Sequence, residues 1–540
     1  MKYGFVIDNR KCIGCHACTT ACKQEHDVPL GVFRTWVKQV EKGKFPYTRR
    51  VFSVMRCNHC TNAPCVEICP VEALYFRQDG IVDFDKNRCI GCRSCMQACP
   101  YDALYIDPES HTAAKCNYCA HRIDVGLEPA CVNVCPEHAI ISGDMDNPHS
   151  EISMLLSQEQ VTVRKPAKGT VPNLFYIDGD EWSLNPTATS RSNYAFSAQD
   201  RGVGHYAEKL AFDGDNLVTA ALAATGNGYA ADEVSNGKPV GVKSIDALMG
   251  QEARRYYDAP DKGILWGSEV WGYVWTKAIA AGAFLVPFLA WLLGKGEILK
   301  TSDWWMSAGL SFLFLILTTA LLVKDLDQPM RFVYVLLRPQ WRSWLVKGGY
   351  ALTLYGGLLT LWVATIWFEW EGLKAGVLVA TAIFAVITAV YTAFLFAQAK
   401  GRDFWQSPVL PLHMLVHSLM AGAAAFLVAG MLLDMNPAWQ LFLKNMLYVA
   451  IGANFLILLL ELGTTHGSSD AAATVNMILK GRYSRHFWLG TVLVGNLLPL
   501  VLLYVAGTSI LLAVAGALAL VGILITERIW VEAPQRIPLS

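Results

Sequence analysis

The stretch CIGCHACTTAC, from Cys12 to Cys22, decides the reading of this chain, and CIGCRSCMQACP, from Cys89 to Pro100, repeats it. Each sets three cysteines two residues apart and a fourth after three more: Cys12, Cys15, Cys18 and Cys22, then Cys89, Cys92, Cys95 and Cys99. CNHCTNAPCVEICP is a stretched copy, with Cys57, Cys60, Cys65 and Cys69. Cys116, Cys119, Cys131 and Cys135 make a fourth set. All sixteen cysteines lie before Ser142, and three of the four sets end in Cys-Pro.

Two-residue gaps let successive thiolates converge on one cube of iron and sulfide, whereas the last cysteine sits too far along and serves the cluster of a partner quartet. Structural zinc asks for separated pairs of ligands, often mixed with histidine. Disulfides ask for an oxidising compartment, and Met1 to Arg10 carries neither the basic segment nor the apolar core of a secretory signal. No quartet lacks a member, so the simplest count is four [4Fe-4S] clusters. The repeat reads as two ferredoxin-like units, one nested inside the other. Short strands and helices around Val51–Val54, Ala73–Phe76, Ile81–Phe84 and Ala103–Ile106 suit that small α+β fold, and the apolar Leu174–Ile177 patch adds a candidate strand.

At 540 residues the chain exceeds one domain, and its 53% apolar content is above the ~45–50% of soluble proteins. A formal net charge of zero gives no sign of nucleic acid as a partner. The apolar excess gathers in eight runs near the ~20 residues that span a bilayer: 270–293, 304–323, 348–368, 375–399, 409–432, 442–462, 487–506 and 509–526. The expected fold class is therefore a ferredoxin-like domain (1–182) followed by an all-α polytopic bundle of eight transmembrane helices (266–540). Residues 183–265, rich in Gly, Ala, Ser, Asn and Asp, read as an extended linker with a short helical candidate near Asn216–Ala224.

These residues resemble a known family. The cysteine-rich part is similar to the four-cluster electron-transfer subunit of complex iron-sulfur molybdoenzymes, the group that includes dimethyl sulfoxide reductase and polysulfide reductase. The part from about 265 onward resembles the eight-helix quinone-reactive membrane subunit of polysulfide reductase, on helix count and on the loop DLDQPMRF (Asp325–Phe332). That loop also reads as a helix end with Asp327 as cap and Pro329 opening an interfacial helix. The resemblance implies crossed ligation: Cys12, Cys15 and Cys18 with Cys135; Cys116, Cys119 and Cys131 with Cys22; Cys57, Cys60 and Cys65 with Cys99; Cys89, Cys92 and Cys95 with Cys69. It also implies a separate catalytic subunit carrying molybdopterin, since this sequence holds no catalytic motif of its own toward a primary substrate.

In the membrane, His413 and His417 are the only histidines well inside a span, one helical turn apart on a single helix, so haem b is not expected. A quinone, menaquinone or ubiquinone, is favoured instead. Ionisable groups inside spans are expensive and mark function. Glu269, Tyr273 and Lys277 on the first span, His413 and His417 on the fifth, and Glu461 and His466 at the end of the sixth form the candidate quinone site. With eight spans, the amino-terminal domain and the even-numbered loops share a side. Near the membrane that side carries fifteen Lys and Arg against four opposite, so the iron-sulfur domain and carboxyl terminus are expected in the cytoplasm of a prokaryotic cell, on its inner membrane. Two functions fit. One is the electron-transfer and membrane-anchor part of a molybdoenzyme that meets the quinone pool. The other is a proton-translocating quinone oxidoreductase fed by a partner such as a multihaem cytochrome.

Overall fold

The computed structural model describes residues 1–43, 47–191, 253–431, 435–505 and 508–540. The amino-terminal domain is built on strand Tyr3–Asp8, whose YGFVID is buried from Gly4 onward. It pairs antiparallel with Ile140–Asp144 and parallel with Leu174–Ile177, and Val161–Thr162 closes that sheet. A second sheet holds the long hairpin Thr35–Lys42 and Arg49–Arg56. There are two short hairpins, Leu74–Phe76 with Val82–Phe84 and Leu104–Ile106 with Ala113–Lys115; the first and the Leu104–Ile106 strand lie where the sequence placed them, and Ala113–Lys115 was not expected.

Both ends of the segment read as a linker are folded. Glu181–Leu184 is a helical turn capped by Asp180, which accepts from the backbone of Trp182 and Ser183. Strand Arg254–Tyr257 pairs antiparallel with Thr35–Lys42 and parallel with Ser190–Arg191. Buried Asp258 explains why this return is fixed, since it accepts from Trp36 Nε1 at 2.9 Å and from Arg255 at 3.0 Å. The helical candidate near Asn216–Ala224 lies outside the described residues.

Among the described residues, eight helices are long and apolar enough to cross a membrane: Ser268–Leu292, Thr301–Lys324, Trp344–Trp367, Glu371–Gln398, Leu410–Ala429, Pro437–Gly463, His486–Val505 and Ser509–Arg536. The first and fifth are the central pair, 78% and 72% buried over their apolar windows, against 33% for the second and third. Glycine brings the central pair together, because a Cβ on Gly282 would collide with the Ser418 carbonyl oxygen and one on Gly422 with the backbone of Gly282. Gly495 and Gly522 meet in the same way where the seventh span crosses the eighth. The seventh is wound as a π-helix over His486–Leu497, a rare form associated with functional sites.

The even-numbered loops reach the amino-terminal domain. In the 325–343 loop, Arg93 grips both oxygens of Asp327, Arg331 donates to the carbonyl of Cys89 at 2.9 Å, and Ser343 donates to that of Ile68 at 2.7 Å. Asp327 is thus an interdomain anchor, and Pro329 opens a single turn, Pro329–Arg331. From the next loop, buried Arg402 donates to Gln97 Oε1 at 2.9 Å and to the carbonyl of Ile537 at 2.7 Å. Gln535 accepts from the backbone of Leu265 and Trp266. One apolar core runs unbroken from Cys57–Cys99 through Trp266 and Tyr273 to Trp405 and Trp530.

Candidate functional site

Three of the four quartets share a local grammar. Cys-Pro-x-x-Ala recurs at 69–73, 99–103 and 135–139. The residue before each alanine has left-handed backbone (Glu72, Asp102, His138). This turns the alanine N–H onto the sulfur, at 3.2 Å for Ala73 to Cys69 and 3.3 Å for Ala139 to Cys135. Such bonds stabilise a thiolate that ligates metal.

All sixteen thiols are free of disulfide bonds. Burial pushes Cys57 up to about 11 and Cys18 to about 12, so a cation is needed to hold them as thiolates. One small cavity is lined by Cys89, Cys92, Cys95 and Cys69. Another is lined by Cys12, Cys15, Cys18 and Cys135. In the remaining sets, Cys22 has Cys116, Cys131 and Cys119 as its electrostatic neighbours, and Cys99 acts on Cys57, Cys60 and Cys65. Several buried donors beside them lack an acceptor among the described residues: Arg56 Nε and Nη2, Asn58 Nδ2, and His59 Nε2, whose Nδ1 accepts from Val82. Sulfide supplies such acceptors, so the residues present fit iron-sulfur clusters.

The quartets form a row. Cys18 lies in electrostatic reach of Cys131, Cys57 of Cys116, and Cys95 of Cys65. One end of the row is exposed at Cys15. The other end meets the membrane domain, where Cys92 and Ser94 form part of the wall of a cavity of about 850 Å³. Its remaining lining comes from the first four spans and the loop after the second: Tyr273, Asp325, Tyr391, and a mostly apolar surface that includes Phe312, Leu315, Ile316 and Phe332. Along the third span the wall is Gly349, Leu352, Thr353, Gly356 and Thr360, one helical face dominated by small side chains.

The seven ionisable and polar residues singled out from the sequence do not all line this cavity. Tyr273 lines the cavity. Glu269 pairs with Lys324 at 3.2 Å beside it. Lys277 lies one turn deeper, its ammonium donating to Thr392 Oγ1 at 2.6 Å and the Ala389 carbonyl at 3.0 Å, over the Tyr391 ring. His413, His417 and Glu461 belong to a network between the fifth, sixth and eighth spans, whose Glu527 lies in electrostatic reach of Lys277 and Tyr273. His413 Nδ1 meets Glu461 at 2.6 Å, His417 Nδ1 meets Glu527 at 2.7 Å, and His417 Nε2 meets Asn454 at 3.1 Å. Trp530 donates to Glu461 at 3.0 Å, and Asn454 to Asn496 at 3.0 Å. His466 follows the sixth span and lies outside both groups. The sequence reading missed Asp325, Tyr391, Asn454 and Glu527. Asp325 stood in the quoted loop, whereas Tyr391 is one phenol inside an apolar run.

A cysteine-ligated row ending on an eight-helix bundle defines a membrane-bound electron-transfer protein, and the comparisons with known proteins give its family. The polysulphide reductase, NrfD, family model matches residues 259–535, and the chain belongs to that family. Models of the 4Fe-4S dicluster domain match residues 48–145 and 11–73. A tetrathionate reductase subunit of Salmonella typhimurium is 46% identical over 189 residues, 34% of this chain and 76% of that protein. A polysulfide reductase component of Wolinella succinogenes is 42% identical over 179 residues, 33% of this chain and 94% of that protein. Protein NrfC of Escherichia coli K12 is 42% identical over 181 residues, 33% and 81% respectively. This chain therefore joins an electron-transferring iron-sulfur unit to a multi-pass membrane domain that anchors it.

Proposed function

We propose that the chain carries electrons between a molybdopterin-containing catalytic subunit and the membrane quinone pool through four [4Fe-4S] clusters, with the quinone seated in the 850 Å³ cavity. The observation that carries this reading is that one cavity touches both Cys92 and the small-residue face of a peripheral span. The crossed sets of cysteines would hold the clusters, which when bound supply one-electron carriers along the row. The exposed end at Cys15 suits a docked catalytic partner, and the reductase relatives favour this reading over one fed by a multihaem cytochrome.

The chain's own residues do the rest. Tyr273, Tyr391 and Asp325 offer hydroxyls and a carboxyl to the oxygens of a quinone ring. The apolar lining excludes water, and the Gly349–Thr360 face gives an isoprenoid tail a passage toward lipid. The positive charge concentrated on the domain's side supports a cytoplasmic setting for that side. Binding of a quinone-site inhibitor such as an alkyl-hydroxyquinoline N-oxide to the purified protein tests the reading. Tyr273→Phe is expected to weaken quinone-linked turnover about tenfold or more while artificial dyes still exchange electrons with the clusters. Unchanged quinone kinetics together with no inhibitor binding would reject it.

A further inference from the structure

We infer that His413, His417 and Glu527 bind a zinc ion inside the membrane domain, at a site separate from the cavity, which none of the three lines. One ring nitrogen of each histidine and one oxygen of Glu527 lie within 4.8 Å of one another. The histidines are 1% exposed and Glu527 is 3% exposed. The fifth span supplies both histidines, one turn apart, and the eighth supplies the carboxylate.

The hydrogen bonds around these residues fix which atoms face each other. Asn496 Nδ2 donates to the Thr491 carbonyl at 2.7 Å, so Asn496 Oδ1 is the acceptor for Asn454 Nδ2 at 3.0 Å. Asn454 therefore turns its own Oδ1 to His417 Nε2, at 3.1 Å, and that nitrogen carries the proton. His417 Nδ1 is left with a lone pair, 2.7 Å from a Glu527 oxygen. Two acceptors so close repel unless a cation or a second proton joins them.

His413 decides between those two. Its Nδ1 faces a Glu461 oxygen at 2.6 Å that also accepts from Trp530 Nε1, so Nδ1 carries the proton and Nε2 the lone pair. His413 Nε2 is buried with no partner among the described residues, and so is Glu461 Oε1. A proton on His417 satisfies Glu527 but leaves His413 Nε2 bare, whereas an ion takes both lone pairs. Metal-ligating imidazoles give their other N–H to an oxygen acceptor that holds the ring in place, and both histidines do so. Charge agrees, since Glu461 and Glu527 are carboxylates inside the bundle, where unbalanced charge is expensive, and one dication balances the two. Lys277, which also acts on Glu527, gives its ammonium to Thr392 and the Ala389 carbonyl. Two imidazole nitrogens and a carboxylate oxygen, without sulfur, make a zinc donor set that keeps a fourth position for water. Tetrahedral zinc holds such atoms roughly 3.3 Å apart, between the 2.7 Å and 4.8 Å seen here.

The test uses the complete cluster-loaded protein in its complex, produced with zinc in the medium and dialysed against EDTA before metal analysis. Wild type is expected to keep about one zinc per chain, because so buried a site exchanges its ion slowly. Its zinc-edge X-ray absorption should show nitrogen and oxygen at about 2.0–2.1 Å, without the sulfur at about 2.3 Å that zinc on a cysteine quartet gives. His413→Gln and Glu527→Gln should each cut the retained zinc about tenfold or more with iron content unchanged, and His466→Gln should keep it. Wild type that retains no zinc overturns the inference and leaves a proton alone between His417 and Glu527. Zinc with a sulfur shell, or zinc that both variants keep, is an adventitious ion only and overturns it too. If neither variant assembles, the metal count and absorption edge of the wild type decide alone.

Discussion

Cys99 gives the sharpest test at the scale of single residues, because sequence neighbourhood and spatial neighbourhood disagree about it. It follows Cys95 by four positions, yet it acts on Cys57, Cys60 and Cys65. Cys99→Ser should remove about four of about sixteen irons and the paramagnetic signal of the cluster on Cys57, sparing the one on Cys89. Loss of the latter alone would refute the crossed assignment. Arg56 gives a second. Its guanidinium is wholly buried, donates to Cys131 Sγ at 3.1 Å and covers the Phe5 ring. A fixed positive charge beside a cluster favours the reduced form, so Arg56→Gln should lower the midpoint potential of the cluster on Cys131 in a redox titration. An unchanged potential would show that the charge is screened. The cysteine quartets themselves were legible because cysteine spacing is local information. The cavity residues were legible only in part: Tyr273 stood out as a polar group in an apolar run, but Lys277, His413 and Glu461 stood out equally, and depth along a helix does not say which neighbour a side chain meets.

At the scale of elements, the third span bears the clearest prediction. Gly349, Thr353, Gly356 and Thr360 fall on one face and wall the cavity. A Cβ at Gly356 meets only Leu315, at 3.3 Å. Gly356→Trp should therefore fold, fill the passage, and raise the KM for long-tailed quinones about tenfold or more while sparing tailless analogues. Equal kinetics for both would show that the tail runs elsewhere. All eight spans were legible, because a bilayer demands long apolar runs whatever the packing. Their ends were less so. The last was expected to stop at 526, before Glu527 and Arg528, yet the helix continues to Glu532. The docked domain covers this end of the bundle, so Glu527 is buried against His417 rather than wetted. The strand Arg254–Tyr257 was hidden for a related reason: its antiparallel partner, Thr35–Lys42, is more than 200 residues away, and nothing in its own composition announces it.

Across the whole molecule, the loops that carry the positive charge are also the loops that grip the iron-sulfur domain. Arg93 to Asp327, Arg402 to Gln97 and Lys168 to Asp403 all lie on that one side. Orientation in the membrane and docking of the domain are thus set by the same segments. Glu371→Cys, at the start of the fourth span and far from the domain, should react in intact cells with a maleimide that cannot cross membranes. Lys480→Cys, on the domain's side, should react only after the cells are opened. The reverse pattern would place the domain outside. Salt should do little to separate the halves, because Arg93 and Arg402 are buried where counterions reach poorly.

The two glycine-to-glycine crossings have a mechanical consequence. Where Gly282 meets Gly422 and Gly495 meets Gly522, backbone rests on backbone, and there are no side chains to shift rotamer and let the helices slide. The second and third spans, only 33% buried over their apolar windows, line the cavity. The bundle therefore has a stiff keel and a compliant wall. Under the proposed function, a bulky lipid-soluble molecule comes and goes by displacing the wall, while the keel, braced to the Cys89–Cys99 segment through Gln97, Arg402 and Gln535, keeps the row of cysteine quartets at constant spacing from the cavity. Electron tunnelling falls steeply with distance, so such a division of stiffness separates the traffic of substrate from the timing of electrons.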